Sequence, residues 1–293
     1  MKEYFLHTRP QSFPVTFFAA FTGYALSPNK PHELSGIAID LGMLFLIFSV
    51  LLWGGTNAFN SGQDGDDGPL TLLPDPPPIP KYLSAFGLVL MGTAVLFAAF
   101  ISMRLAIWTA VGVLLSILYS WKNNFFTRGK DIPILDMLIN TSGFGICSIL
   151  FGYIMTPAPV TATLIYIGMG FTFAYQGGMP TSQIFQLKKD SKPNYTSLLG
   201  AAWVLRAGAL FFILHIVFLA LAYTDLTFLA AHQVLMCMYA GWALLVLLSA
   251  IHSLWWSQDP FKEPYKKMNR QMVMMMSSQI LWTVYAWIKS SAG

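Results

Sequence analysis

Apolar residues dominate nine stretches of the chain, near 12–27, 36–58, 82–101, 103–120, 135–155, 159–176, 198–222, 227–252 and 271–289, with polar segments between them. A hydrocarbon layer about 30 Å thick takes roughly 20 such residues as a helix. The pattern therefore predicts nine transmembrane helices, of which the first and sixth are short. An unpaired backbone group in lipid costs several kcal/mol, and the alternating ten-residue segments of a barrel are absent, so helices are the expected element. The expected fold class is all-α: one polytopic membrane domain over residues 1–293, with motif-bearing loops near 57–81, 121–134 and 183–197. The stretch "FPVTFFAAFTGYAL" resembles the apolar part of a signal peptide. Mixed charge before it and no small-residue cleavage pattern after it favour a retained first helix.

Composition agrees with this pattern. Of 293 residues, 55% are hydrophobic and 10% charged, with a mean hydropathy of +0.57, against about 25% charged in soluble chains. Cys147 and Cys237 fall inside apolar stretches and read as packing residues; no CxxC or HExxH is present. The net charge of +4 does not imply nucleic acid once the charges are placed. With nine spans, every Lys and Arg lies on the N-terminal side of the membrane except Lys30, Arg104, Lys289 and the intramembrane Arg206. That bias puts the N-terminus and the motif loops in the cytoplasm. The acids follow the same side, apart from Glu33, Asp40 and Asp225. Orientation does not require this, so the segregation favours a polar reaction chamber at that face.

Three loops hold the candidate chemistry. In "NSGQDGDDGP", Asn57, Asn60, Asp64 and Asp67 share one stripe if the preceding helix continues, and Gly62, Gly65 and Gly68 weaken its last turn. In "QIFQLKKDSKPNYTS", Gln186, Asp190 and Asn194 are spaced by four, with Pro193 as a breaker. The third, "YSWKNNFFTRGKDIP", supplies Lys122, Arg128 and Lys130. Singly, each reads as a solvated turn or a set of membrane anchors. Together, carboxylates and cations suit Mg²⁺, which prefers one or two carboxylates plus phosphate oxygens. A diphosphate with a long hydrocarbon tail would explain why such a site belongs to a membrane protein.

The arrangement resembles the UbiA superfamily of intramembrane prenyltransferases, nine-helix proteins around a central cavity with an Asn-xxx-Asp-xxx-Asp motif after helix 2 and an Asp-xxx-Asp motif after helix 6. Asn60 and Asp64 match the first motif, with Asp66 or Asp67 as its last carboxylate. Asp190 and Asn194 match the second, flanked by Gln186 and Thr196. "LYS" at Leu118 to Ser120 with the basic residues beyond it, and the opening "RPQSFPVTFFAAFTGYAL", match further segments. The sequence departs from the pattern at Gly68, Asn194 and Ser61, where the family usually has carboxylates.

The resemblance implies an enzyme that moves an isoprenyl group from its diphosphate to a lipophilic acceptor of aromatic or quinone type. Mg²⁺ would sit on Asp64, Asp66, Asp67 and Asp190, with Asn60 and Asn194 orienting its water or the phosphate. Lys122, Arg128, Lys130, Lys188, Lys189, Tyr119 and Arg206 would bind the diphosphate. The loops bearing Asp64 and Asp190 are then expected to serve one headgroup, in a bacterial or archaeal cell membrane. Phe59, Tyr119, Tyr175 and Trp203 are candidate cation-stabilising aromatics. Arg206, about eight residues into the seventh span, is a functional candidate by its depth. Asp40, His215 and His232 read as structural. A membrane terpene cyclase is the in-family alternative; a transporter or a non-catalytic binding protein are the others.

Overall fold

In the computed structural model, residues 1–65, 73, 75–122, 125, 127–184, 187 and 195–292 are described. Helices occupy each of the nine apolar stretches. They are α1 (Phe13–Leu26), α2 (Leu34–Asp64), α3 (Leu83–Ile101), α4 (Met103–Ser120), α5 (Pro133–Tyr153), α6 (Ala162–Gly178), α7 (Ala201–Tyr223), α8 (Gln233–Trp256) and α9 (Pro264–Ala292). Among the described residues, six of these are long and apolar enough to cross a membrane: α2, α3, α4, α5, α7 and α8. The 14 residues of α1 and the 17 of α6 fall short of that length. The longer α9 interrupts its apolar run with Asn269, Arg270, Gln271, Ser277, Ser278 and Gln279. The eighth stretch differs from its expected outline. A short helix, Leu226–Ala231, ends at His232, and α8 starts afresh at Gln233.

The chain forms two compact units, one of residues Met1–Ile132 with Phe151–Ala158, the other of Pro133–Leu150 with Pro159–Gly293. In the first, α2 and α3 meet backbone to backbone. A Cβ added to Gly87 would lie 2.5 Å from the Phe59 amide nitrogen and 2.6 Å from the Gly55 carbonyl oxygen. Close approach through small residues is how membrane helices gain packing energy where no hydrophobic force separates them from lipid. The same contact fixes the height and rotation of the last turns of α2, which carry Asn57, Asn60 and Asp64. The middle of α2, Phe45–Trp53, is π-helical, a local irregularity often found near functional segments.

The second unit is built on α6 and α7. Its interior holds a ring cluster in which His215 lies edge-on to Phe171 and Trp242, and Trp282 packs against Phe171. His215 Nδ1 is 2.8 Å from the Gly170 carbonyl oxygen, and the Trp242 indole donates to His215 Nε2 at 3.4 Å. That is the hydrogen-bonded packing role the sequence suggests. His232, by contrast, is not a packed residue. It is exposed at the break before α8, with Nδ1 2.8 Å from the Phe228 carbonyl oxygen.

Replacing Gly87 by valine should force α3 off α2 and cost about 1–3 kcal/mol, the usual range for overpacking. Thermal unfolding of the detergent-solubilised protein should show the lowered midpoint, whereas Gly92→Val, where nothing lies within 4 Å of the added Cβ, should leave it unchanged.

Candidate functional site

The first unit gathers its polar chemistry where α2 ends. The helix runs through Asp64 and stops because Gly65 takes φ +71°, a left-handed conformation that glycine adopts without a Cβ penalty. Asn57, Asn60 and Asp64 therefore share the stripe expected of them. Asp66 and Asp67 lie outside the described residues.

The Asp64 side chain is 8% exposed and lies between two cations. Arg128 Nη1 donates to one of its oxygens at 2.6 Å, and Lys130 Nζ donates to the other. Arg128 is itself buried and forks onto Asp131, with Nε 2.7 Å from one carboxylate oxygen and Nη2 3.1 Å from the other. Burial works against the Arg128 charge, but the hydrogen bonds to Asp131 and Asp64, with their attraction, more than offset it and push the guanidinium pKa above its ordinary value. One guanidinium thus bridges the carboxylates of Asp64 and Asp131. The planar guanidinium can hold Asp131 at two points while donating to Asp64; an ammonium lacks that rigid fork.

The surrounding polar groups hold this arrangement. Arg128 Nη1 also donates to the Ser120 carbonyl oxygen at 3.3 Å, and Ser120 Oγ donates to Asn60 Oδ1 at 3.0 Å. Lys122, expected as a diphosphate ligand, is turned onto the helix end. Its amide donates to Gln63 Oε1 at 3.0 Å, and its ammonium donates to the Asp64 carbonyl oxygen at 3.2 Å, so it caps the negative end of α2. The N-terminal segment completes the frame: Asn57 Nδ2 donates to the Thr8 carbonyl oxygen at 3.1 Å, and Arg9 Nη2 donates to Ser61 Oγ at 3.2 Å. Tyr119 is half-buried on the last turn of α4, and Phe59 is buried between helices.

The second unit has a polar network of its own. Asp136, near the start of α5, is buried and accepts from Asn140 Nδ2 and from Gln183 Nε2, each at 2.9 Å. Thr196 Oγ1 donates to Gln183 Oε1 at 3.0 Å. Gln186, Lys188, Lys189, Asp190 and Asn194 lie outside the described residues. Arg206 is exposed, in the second turn of α7, which begins at Ala201 rather than near residue 198. Trp203 is 60% exposed on the first turn of α7. Tyr175 stacks on Phe144 at 5.3 Å and donates to Gln279 Oε1 at 3.1 Å. Asp40 accepts from the Tyr24 hydroxyl at 2.8 Å, a structural role.

Of the residues expected from sequence, the structure brings Asn60, Asp64, Arg128 and Lys130 together; Asp131, Gln63, Asp136 and Gln183, which join the polar networks, are not among those expected. A signal exists for two of them. Asp131 follows Arg128 by three residues, and Asp136 precedes Asn140 by four, spacings at which side chains on a helical turn meet.

Among the described residues no cluster of three or more His, Cys, Asp or Glu gathers. A buried carboxylate beside two cations still fits Mg²⁺ in the mode where phosphate oxygens complete the shell. The cations fit the phosphate.

No protein-family model and no curated protein sequence matches the chain. Solved structures do. One comes from work on digeranylgeranylglyceryl phosphate synthase in membranes, with a TM-score of 0.63, 15% identity and 98% of both chains covered. A UbiA homologue from Archaeoglobus fulgidus bound to GPP and Mg²⁺ matches with a TM-score of 0.64 at 14% identity over 99% of both chains. The same homologue bound to DMAPP and Mg²⁺ gives 0.63 at 13%, over 95% of this chain and 98% of that one. Identities this low speak for architecture. The chain has the all-helical fold of the UbiA-homologue structures, the fold that its sequence resemblance implied.

Proposed function

We propose that the protein is a Mg²⁺-dependent prenyltransferase that moves an isoprenyl group from its diphosphate to a lipophilic acceptor of aromatic or quinone type. The observation that carries the reading is the buried Asp64 carboxylate between Arg128 and Lys130 at the end of an apolar helix. The fold likeness supports it, since the A. fulgidus homologue binds GPP or DMAPP with Mg²⁺. So does the composition: a chain with six helices apolar enough to cross a membrane meets substrates dissolved in lipid. The motif loops face the cytoplasm in this reading, as the distribution of Lys and Arg argues.

Asp64 would hold the metal, joined by Asp66, Asp67 and Asp190 on the strength of the sequence motifs. Bound Mg²⁺ would neutralise charge on the diphosphate as the allylic C–O bond breaks. The bonding pair leaves with the diphosphate, the allylic cation is attacked by the acceptor, and the acceptor loses a proton. Arg128 and Lys130 stabilise the departing negative charge from fixed positions, Arg128 being aimed by its two-point hold on Asp131. Preplaced charge of this kind needs no reorganisation during the reaction. Asn60, held through Ser120, orients water or phosphate at the same helix end. Lys188, Lys189, Tyr119 and Arg206 extend the diphosphate-binding set in this reading, and Lys122 contributes by keeping α2 capped.

Membranes supplied with defined prenyl diphosphates and candidate acceptors should release diphosphate only when Mg²⁺ is present, and mass spectrometry should find the prenylated acceptor. Asp64→Ala should lower turnover by at least about a hundredfold, the scale on which one preorganised electrostatic group acts, while the protein still folds. A cyclic hydrocarbon formed without acceptor would instead mark a terpene cyclase.

Arg128→Ala removes the cation shared by two carboxylates and should cost about 3–5 kcal/mol of stability, as breaking a buried pair from one side does. Arg128→Lys keeps the charge but loses the fork. It should retain part of the stability and lose most of the turnover, read by thermal unfolding and by diphosphate release.

A further inference from the structure

An asparagine has two ends, and the end that meets a ligand decides what the residue can do. For Asn60 that choice is made by Ser120, the last residue of α4, which is fully buried. Ser120 Oγ donates to Asn60 Oδ1 at 3.0 Å, while the Ser120 carbonyl oxygen accepts from Arg128 Nη1 at 3.3 Å. Among the described residues the hydroxyl has no other hydrogen bond. Turning the Asn60 amide over would present N–H to Oγ and leave the buried hydroxyl proton with no acceptor. That loss selects the observed orientation.

The amide is therefore polarised. Its oxygen is taken by Ser120, and its NH₂ group is the end left for a ligand. Asn60 is half-buried, and among the described residues nothing accepts from Nδ2. One turn further along α2, Asp64 carries Arg128 and Lys130 on its two oxygens. N–H donors and cations thus collect at one helix end, a set that suits the oxygens of an anion. Mg²⁺ asks instead for oxygen ligands in near-octahedral order, and the Asn60 oxygen already serves a hydroxyl.

We propose that Ser120 is a positioning residue that holds the Asn60 amide with its NH₂ toward the diphosphate, so that Asn60 binds a phosphate oxygen as a donor and is not a ligand of Mg²⁺. This rests on the prenyltransferase reading. Ser120 sets two groups of the diphosphate site from one point, Asn60 through its side chain and Arg128 through its backbone. The two functions are separable, because Ser120→Ala removes the hydroxyl and leaves the carbonyl in place.

Inorganic pyrophosphate is titrated calorimetrically into the purified protein, once with Mg²⁺ and once with the metal chelated by EDTA, and the thermal midpoint of each variant is recorded. Asn60→Ala should weaken binding about tenfold in both conditions, the scale of one hydrogen bond to a charged group. Asn60→Asp still accepts from Ser120 but has no N–H to give, so it should lose at least as much. Ser120→Ala should weaken binding about threefold, yet have no further effect when Asn60 is already alanine, because the group it positions is gone. Where Ser120→Ala does not fold, Ser120→Cys, of similar size and a weaker donor, takes its place.

A loss in Asn60→Ala confined to the Mg²⁺ titration would make Asn60 a metal ligand and overturn the proposal, leaving the prenyltransferase reading intact. So would an Asn60→Asp protein that binds as tightly as wild type with Mg²⁺, or a wild type that binds pyrophosphate only when Mg²⁺ is present. The same added loss from Ser120→Ala in both backgrounds would reduce Ser120 to a structural residue. A wild type that binds pyrophosphate in neither condition would fail the prenyltransferase reading itself, and the proposal with it.

Discussion

A carboxylate buried at the end of an apolar helix is costly unless cations come to it, and that constraint organises the first unit. Asp64 draws Arg128 and Lys130 onto its two oxygens at the end of α2. Arg128 in turn needs more than one acceptor to offset its burial, which brings Asp131 into the same cluster. Ser120, Asn60, Lys122 and Gln63 lie in hydrogen-bond range at the same helix end. The groups that would meet a diphosphate are in this way assembled before any substrate arrives, each held by an opposite charge that a phosphate or a metal can replace.

The helix contacts beneath this cluster serve its geometry. Gly55 and Gly87 let α2 and α3 touch through their backbones, and a helix seated that closely cannot turn its last residues away. Gly65 ends α2 immediately after Asp64. The N-terminal segment, tied to Asn57 and Ser61, covers a further side of the same turns. Stability of the unit and placement of its carboxylate are two results of one packing arrangement.

Much of the fold is legible because the bilayer imposes a simple rule: apolar runs of span length become helices, and α3 and α4 begin and end within a residue of where their hydropathy changes. The eighth stretch departs from the rule at the polar pair His232-Gln233, where two polar positions inside a long apolar run end one helix and start the next. In the site, Asp64, Asn60, Arg128 and Lys130 are legible because charge inside an apolar sequence is conspicuous. Lys122 reads as a phosphate ligand, since sequence cannot distinguish a lysine that caps a helix from one that meets a ligand. Asp131 and Asp136 escape notice for a related reason. A carboxylate whose task is to aim another side chain looks, in sequence, like any charge near a membrane face, and Gln183, the partner of Asp136, is distant along the chain.

The central claim is that the cluster around Asp64 exists to hold a diphosphate together with magnesium. Calorimetric titration of inorganic pyrophosphate into the purified protein tests it without reference to any acceptor. The account predicts saturable binding that tightens strongly when Mg²⁺ is added and a loss of that tightening in Asp64→Asn. Binding of equal strength with and without Mg²⁺, or an Asp64→Asn protein that responds to Mg²⁺ as the wild type does, would contradict it.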